Sequence, residues 1–197
     1  MFNMDISPYV LSKISVLAFF SIIQSAIFIG ILSLRYSSSN LVAYNAPFSA
    51  FIWMSFISIA ATFLGLLLSA SLSTAEKVMT VVPIVLIPQI MLAGLVAKIN
   101  TIVVELISYL TFTRWGTEGF NAIQDQIIVS QLSQMGTIEE VESNAIVELK
   151  KSFYKEYPEW FGDFSGTLML DLMAVLVLVT IMTFFIYKQL KRKVEVL

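Results

Sequence analysis

The chain of 197 residues contains no cysteine and no histidine. Without cysteine there is no disulfide framework, no thiolate metal site and no cysteine nucleophile. Without histidine there is no histidine-based triad, haem ligation or histidine zinc site. A GxxxxGK[ST] loop is also missing, so the chain does not cradle ATP in the P-loop manner. Charge is scarce, at 13% of residues, where soluble domains carry about 25%. The net charge is −2 and no basic stripe occurs, which argues against nucleic acid as a partner. Any enzyme built on this chain would have to use carboxylates, Ser, Tyr or Lys.

What the chain has in plenty is apolar surface, 57% of residues, with a mean hydropathy of +0.83. The charges are segregated. None falls in 14–34, 36–75 or 78–97, and Asp171 is the single one from Phe164 to Tyr187. Uncharged apolar runs of about 18 residues or more read as transmembrane helices. The sequence therefore predicts an all-α polytopic membrane protein in one domain over 1–197. It has four transmembrane helices, over 14–34, 47–72, 78–97 and 167–187. The outer loop, 98–166, holds a re-entrant segment and a small helical extracytoplasmic cap before the last span.

Local signals support these elements. Ser7-Pro8 can start the first helix, with serine as N-cap and proline where no N–H is needed. Ser73-Thr-Ala-Glu76 has the pattern of a capping box for the third span. Pro83 and Pro88 interrupt that span, and each deletes a backbone hydrogen bond. Ile99 to Phe112 is apolar but too short to cross, and Glu105 interrupts it, so a re-entrant or interfacial pair of short helices is expected. Phe120, Ile123, Ile127, Leu132 and Met135 then recur at helical spacing. Thr137-Ile-Glu-Glu140 opens a further amphipathic stretch up to Pro158, and together these make the cap.

Orientation rests on basic residues near span ends. Lys188, Lys191, Arg192 and Lys193 place the C-terminus in the cytoplasm, and four spans return the N-terminus to the same side. The outer loop carries ten acids against five bases. The expected location is the cell membrane, the inner membrane of a bacterium, with both termini cytoplasmic.

The order of features also resembles a known family. Ser12-Lys13 opens a span, and a second span ends Gly65-Leu-Leu-Leu-Ser-Ala70. Glu76-Lys77 follows, then a proline-containing span ending Leu92-Ala-Gly94. Ser108-Tyr-Leu110 and Arg114-Trp-Gly116-Thr-Glu118-Gly119 come next, before an outer loop and a last span with a lysine-rich end. This pattern is similar to the C-terminal part of the permease domain of G-subfamily ABC exporters, an ABC-2 type transmembrane domain. The family has six spans, and this chain looks like the last four. The resemblance implies several partners: an ATP-binding cassette domain that carries ATP and Mg, the missing N-terminal permease spans, and a paired second permease. Membrane lipids are the surrounding partner, and no cofactor is expected in the chain itself.

Candidate functional residues follow. Pro83 and Pro88 mark either a flexible pathway-lining helix or a fixed kink. By resemblance, Gly94-Leu95-Val96 stands where bulky apolar residues plug the translocation path. Glu105 is costly in an apolar stretch unless it faces water or a partner such as Lys98 or Arg114. Asp171 sits one turn inside the last span and can anchor at the interface or contact substrate or another helix. Gln24 suits an interhelical hydrogen bond. Arg114 and Glu118, four apart, can pair along a helix. Glu139, Glu140 and Glu142 read as a solvated helix face, since no spaced Asp/Asn calcium loop is present. No catalytic or metal-ligating set emerges. The function these features point to is the permease portion of an ATP-driven exporter of amphipathic or lipid-like substrate. The alternatives are a channel or scaffold subunit without ATP coupling, and a carboxylate-dependent intramembrane enzyme.

Overall fold

The computed structural model describes residues 6–35, 42–93, 102–134 and 164–195. Within them the elements are α1 (Ile6–Arg35), α2 (Val42–Asn45), α3 (Pro47–Ser71), α4 (Ala75–Met91), α5 (Ile102–Ser108), α6 (Phe112–Gln134) and α7 (Phe164–Glu195), with no strand among the described residues. Three helices are long and apolar enough to cross a membrane: Ser7–Arg35 of α1, Pro47–Ser71 of α3 and Leu168–Arg192 of α7. At about 1.5 Å per residue each exceeds the roughly 30 Å of hydrocarbon. Only 17% of each apolar window is buried within the chain. The rest, including Phe19, Phe20, Ile27, Phe184 and Phe185, faces outward, where lipid rather than water makes such exposure stable. This is a multi-pass membrane protein.

The described part of the predicted third span is α4, of 17 residues, with Pro83 and Pro88 inside it. It ends at Met91, where the Leu92 N–H donates to Pro88 O at 2.8 Å. Residues 94–97 of the predicted span lie outside the described residues, as do 135–163, where the second capping box and most of the expected cap fall. The start of α4 differs from the capping-box reading by one position. Thr74 is the N-cap, and its hydroxyl accepts from the Lys77 N–H. Ser73 instead accepts from Lys77 Nζ at 3.4 Å.

Where the spans meet, small residues let them approach. Ser21, Ser25 and Ile29 form the buried stripe of α1, and the Ser25 and Ser58 hydroxyls hydrogen-bond between α1 and α3 at 3.3 Å. Ala50, Ala60 and Ala70 do the same for α3. Small and hydroxyl side chains serve helix packing in lipid, because close contact and hydrogen bonds replace the hydrophobic drive.

The ends of the bundle are distinct. Tyr9 and Lys13 of α1, Ser69 of α3 and Leu190 of α7 line one crevice. At the other end Ile29 and Leu32 of α1 pack with Ala50 and Phe51 of α3 and Phe120 of α6. The chain therefore leaves α3 at the crevice end and enters α7 at the opposite end.

The first three turns of α6 form a wedge between α3 and α7. Phe112 and Trp115 cluster with Ala60 and Val175, flanked by Leu64, Leu178 and Met182. Gly116 passes Ile57, and Gly119 lies against Trp53. As α6 advances its α3 partners fall in number, so α6 runs antiparallel to α3. The order along α7 likewise falls, from Val175 beside Trp115 to Asp171 beside Glu118.

Candidate functional site

The wedge carries charge into the bundle. Arg114, Glu118 and Asp171 are all buried, with 2%, 3% and 0% of their surface exposed. Bare charge at this depth is costly, and in a membrane-spanning region it is by default a functional-site hypothesis. Asp171 is the fourth residue of the crossing segment that begins at Leu168. The cluster therefore sits about one helical turn inside one end of the bundle.

Local sequence builds the arginine's surroundings. α5 ends at Ser108, and a tight turn follows: the Leu110 N–H donates to Ile107 O and the Thr111 N–H to Ser108 O, at 3.1 and 2.9 Å. The Thr111 hydroxyl also donates to Ser108 O, at 2.7 Å. This turn brings Ser108 and Tyr109 back over the first turn of α6. Arg114 Nη1 donates to the Ser108 hydroxyl, and Arg114 Nε donates to Glu118 Oε1 at 3.2 Å. The guanidinium lies 4.1 Å from the Tyr109 ring centre. Trp115 closes the other side, its ring centre 5.5 Å from that of Tyr109 and its indole N–H donating to Tyr109 O at 2.9 Å. A guanidinium can stack on an aromatic face and bond in its own plane at once, a combination lysine cannot offer.

Asp171 completes the cluster from α7. It lies within electrostatic reach of both Glu118 and Arg114, and its side chain meets that of Glu118 across the α6–α7 seam. Two ionised carboxylates only accept and repel each other, whereas one that holds a proton donates to the other. One arginine therefore faces two carboxylates from two helices. Asn121, one turn beyond Glu118 on α6, has a buried amide Nδ2 without a partner among the described residues. The site is tightly built around Arg114.

The remaining sequence-predicted residues are elsewhere. Asp171, read from the sequence as an interface anchor or a contact of substrate or another helix, has a wholly enclosed side chain. Gln24 is exposed, on a face of α1 other than the buried Ser21–Ser25–Ile29 stripe, and makes no interhelical hydrogen bond among the described residues. Pro83 and Pro88 are exposed on α4. The backbone of Glu105 is in α5, its side chain lies outside the described residues, and Gly94, Leu95 and Val96 lie outside them altogether. Arg114 pairs with Glu118 at the spacing the sequence offered. Periodicity gave no sign that Asp171 joins them. The available signal was that Asp171 is the single charge within an otherwise neutral span.

Comparison with known proteins follows this geometry. The ABC-2 type transporter family matches residues 1–124, well over half of the chain, and the chain belongs to that family. It is thus a membrane component of an ABC transporter, and the family implies pairing with an ATP-binding cassette component. No curated protein and no solved structure matches significantly. The match ends within α6, after Arg114 and Glu118 and before Asp171.

Proposed function

We propose that the chain is the permease portion of an exporter of the G-subfamily type, moving an amphipathic or lipid-like substrate. ATP and Mg are handled by a separate domain, in keeping with the lack of a phosphate-cradling loop here. Because α3 ends and α7 begins at opposite ends of the bundle, a fourth crossing is assigned to the segment that opens with α4. The turn from α5 into the α6 wedge is assigned as the re-entrant element, because α6 starts beside Ala60, midway along α3, and runs back towards Ala50. Both termini are assigned to the cytoplasm on the strength of the C-terminal basic run.

The observation that carries the reading is α4. It is apolar, carries Pro83 and Pro88 within one continuous helix, and has no buried residue at all. Ile84, Ile87 and Met91 point away from the chain, 63%, 56% and 51% exposed. A membrane helix with internal prolines needs neighbours to satisfy the freed carbonyls at Met79 and Ile84. A second permease packed on α4 supplies them and places the following Gly94-Leu95-Val96 opposite its own copy. Two apolar rings so opposed exclude water until the pair opens.

Two experiments test this. The chain has no cysteine, so Ile87→Cys introduces a single thiol. Oxidation in membranes should give a disulfide-linked dimer, whereas Leu17→Cys on α1 should not. Equal cross-linking at both positions would count against pairing through α4. For the gate, Leu95→Ala with Val96→Ala removes bulk without removing helix propensity. Transport per ATP hydrolysed in the assembled exporter should fall severalfold at unchanged protein level. An unchanged ratio would rule the gate out.

A further inference from the structure

The crevice at the α1-start end is a second built feature, far from the charge cluster, and nothing above assigns it a role. It encloses about 260 Å³ where α1, α3 and α7 converge. Its floor is apolar, from Leu66, Ile186 and Leu190, and its mouth carries Lys13, Tyr9 and Ser69. Ile186 is only 2% exposed, so the floor reaches the bundle interior. The Lys13 ammonium stands 5.8 Å from the Tyr9 ring centre. On α7, Lys188, Lys191 and Arg192 follow the floor at the same end and are all exposed.

We propose that this crevice is a binding site for one anionic phospholipid, its phosphate held at Lys13 and Ser69 and the head of an acyl chain laid over Leu66, Ile186 and Leu190. Charge complementarity selects the occupant. The mouth carries a cation, Lys13, and the groups lining the floor suit hydrocarbon. A free anion would satisfy the mouth and leave the floor wet. Basic pockets between spans are a recurring form of lipid headgroup recognition. The volume is slightly under the roughly 300 Å³ at which drug-sized pockets begin, which suits a headgroup and the first part of a chain. The inference rests on the membrane assignment and not on which leaflet this end faces. The bound lipid would tie the start of α1 to the end of α7, the two helices that lack a long shared seam.

The test uses the full chain purified in neutral detergent, with phosphatidylglycerol or phosphatidylcholine added at equal mole fraction, and reads retained lipid by native mass spectrometry. Phosphatidylglycerol should be retained preferentially. Lys13→Gln should weaken its retention by roughly fivefold, the effect of about one basic residue at a lipid surface. Ser69→Phe, which fills the crevice without altering charge, should weaken it comparably. Lys77→Gln removes a cation at the same end but outside the crevice and should change retention less than twofold. Lys13 and Ser69 are exposed, so neither variant threatens the core, and an unchanged circular dichroism spectrum checks that. Equal retention of the two lipids would overturn the proposal. So would equal effects of Lys13→Gln and Lys77→Gln, no effect of Ser69→Phe, or displacement of the lipid by millimolar inorganic phosphate alone.

Discussion

Arg114→Leu is expected to cost the fold about 3–5 kcal/mol, the usual result of removing one partner from a buried ionic group. The reason is stoichiometric. Arg114 is the cation that faces both Glu118 and Asp171, and its loss leaves two enclosed carboxylates from α6 and α7 facing each other without a counter-charge. It also strips the Ser108 hydroxyl of its donor and the Tyr109 ring of its cation. Equilibrium unfolding in detergent, followed by near-ultraviolet dichroism of the buried tryptophans, measures the loss. The triple variant Arg114→Leu, Glu118→Leu, Asp171→Leu should regain most of it, since a well-packed apolar set can replace a buried ionic one. Asp171→Asn alone should leave stability unchanged or raise it. Its oxygens accept no hydrogen bond, and an amide can donate to Glu118 Oε2 while relieving the repulsion. If transport nonetheless falls at least tenfold in Asp171→Asn, the carboxylate serves the transport cycle and not the fold. A triple variant no more stable than Arg114→Leu would refute the ionic account.

The second large effect is expected at Gly119. A methyl group there lands on the indole of Trp53, with the ring carbons and the ring nitrogen all in the way. Trp53 cannot swing aside freely, because its N–H donates to Gly116 O at 2.9 Å and its ring lies 5.7 Å from that of Phe56. Overpacking of this kind costs about 1–3 kcal/mol, and Gly119→Ala should reach the upper end. Gly116→Ala meets only the Ile57 side chain, at 3.3 Å, which can yield slightly, and should cost less. The discriminating measurement is a double-mutant cycle. Trp53→Leu shortens the obstacle, so Gly119→Ala should cost much less in that background, with a coupling of about 1 kcal/mol or more. Additive effects would show that Gly119 is needed for some reason other than the approach of α3.

Both predictions concern the wedge, and the wedge is where sequence reading was least able to help. Apolar runs and their freedom from charge were legible without ambiguity for α1, α3 and α7, because a bilayer demands length and hydrophobicity from each span separately. The pairing of Arg114 with Glu118 was legible too, since four residues along one helix is a fixed distance. By contrast, Phe120 and Ile123 suggested an amphipathic helix with a polar side turned to water. In the folded chain both faces of the first turns of α6 are enclosed, one by α3 and the other by α7. Helical periodicity reports that a face is apolar but not what lies against the polar one.

The amino-acid order by itself determined the solvent, the helical class and three of the crossings, and it excluded nucleotide chemistry in a P-loop, since each of these depends on neighbours in sequence. Only the tertiary structure decided that Asp171 is enclosed beside Arg114 and Glu118, that Gly119 is the seat of Trp53, and that Lys13, Ser69 and Leu190 share one crevice. Asp171 lies more than fifty residues from Glu118 in the chain. What unites them is the antiparallel packing of α6 against α7, and the cost of bare charge in a lipid-facing bundle binds the three groups together once that packing has placed them.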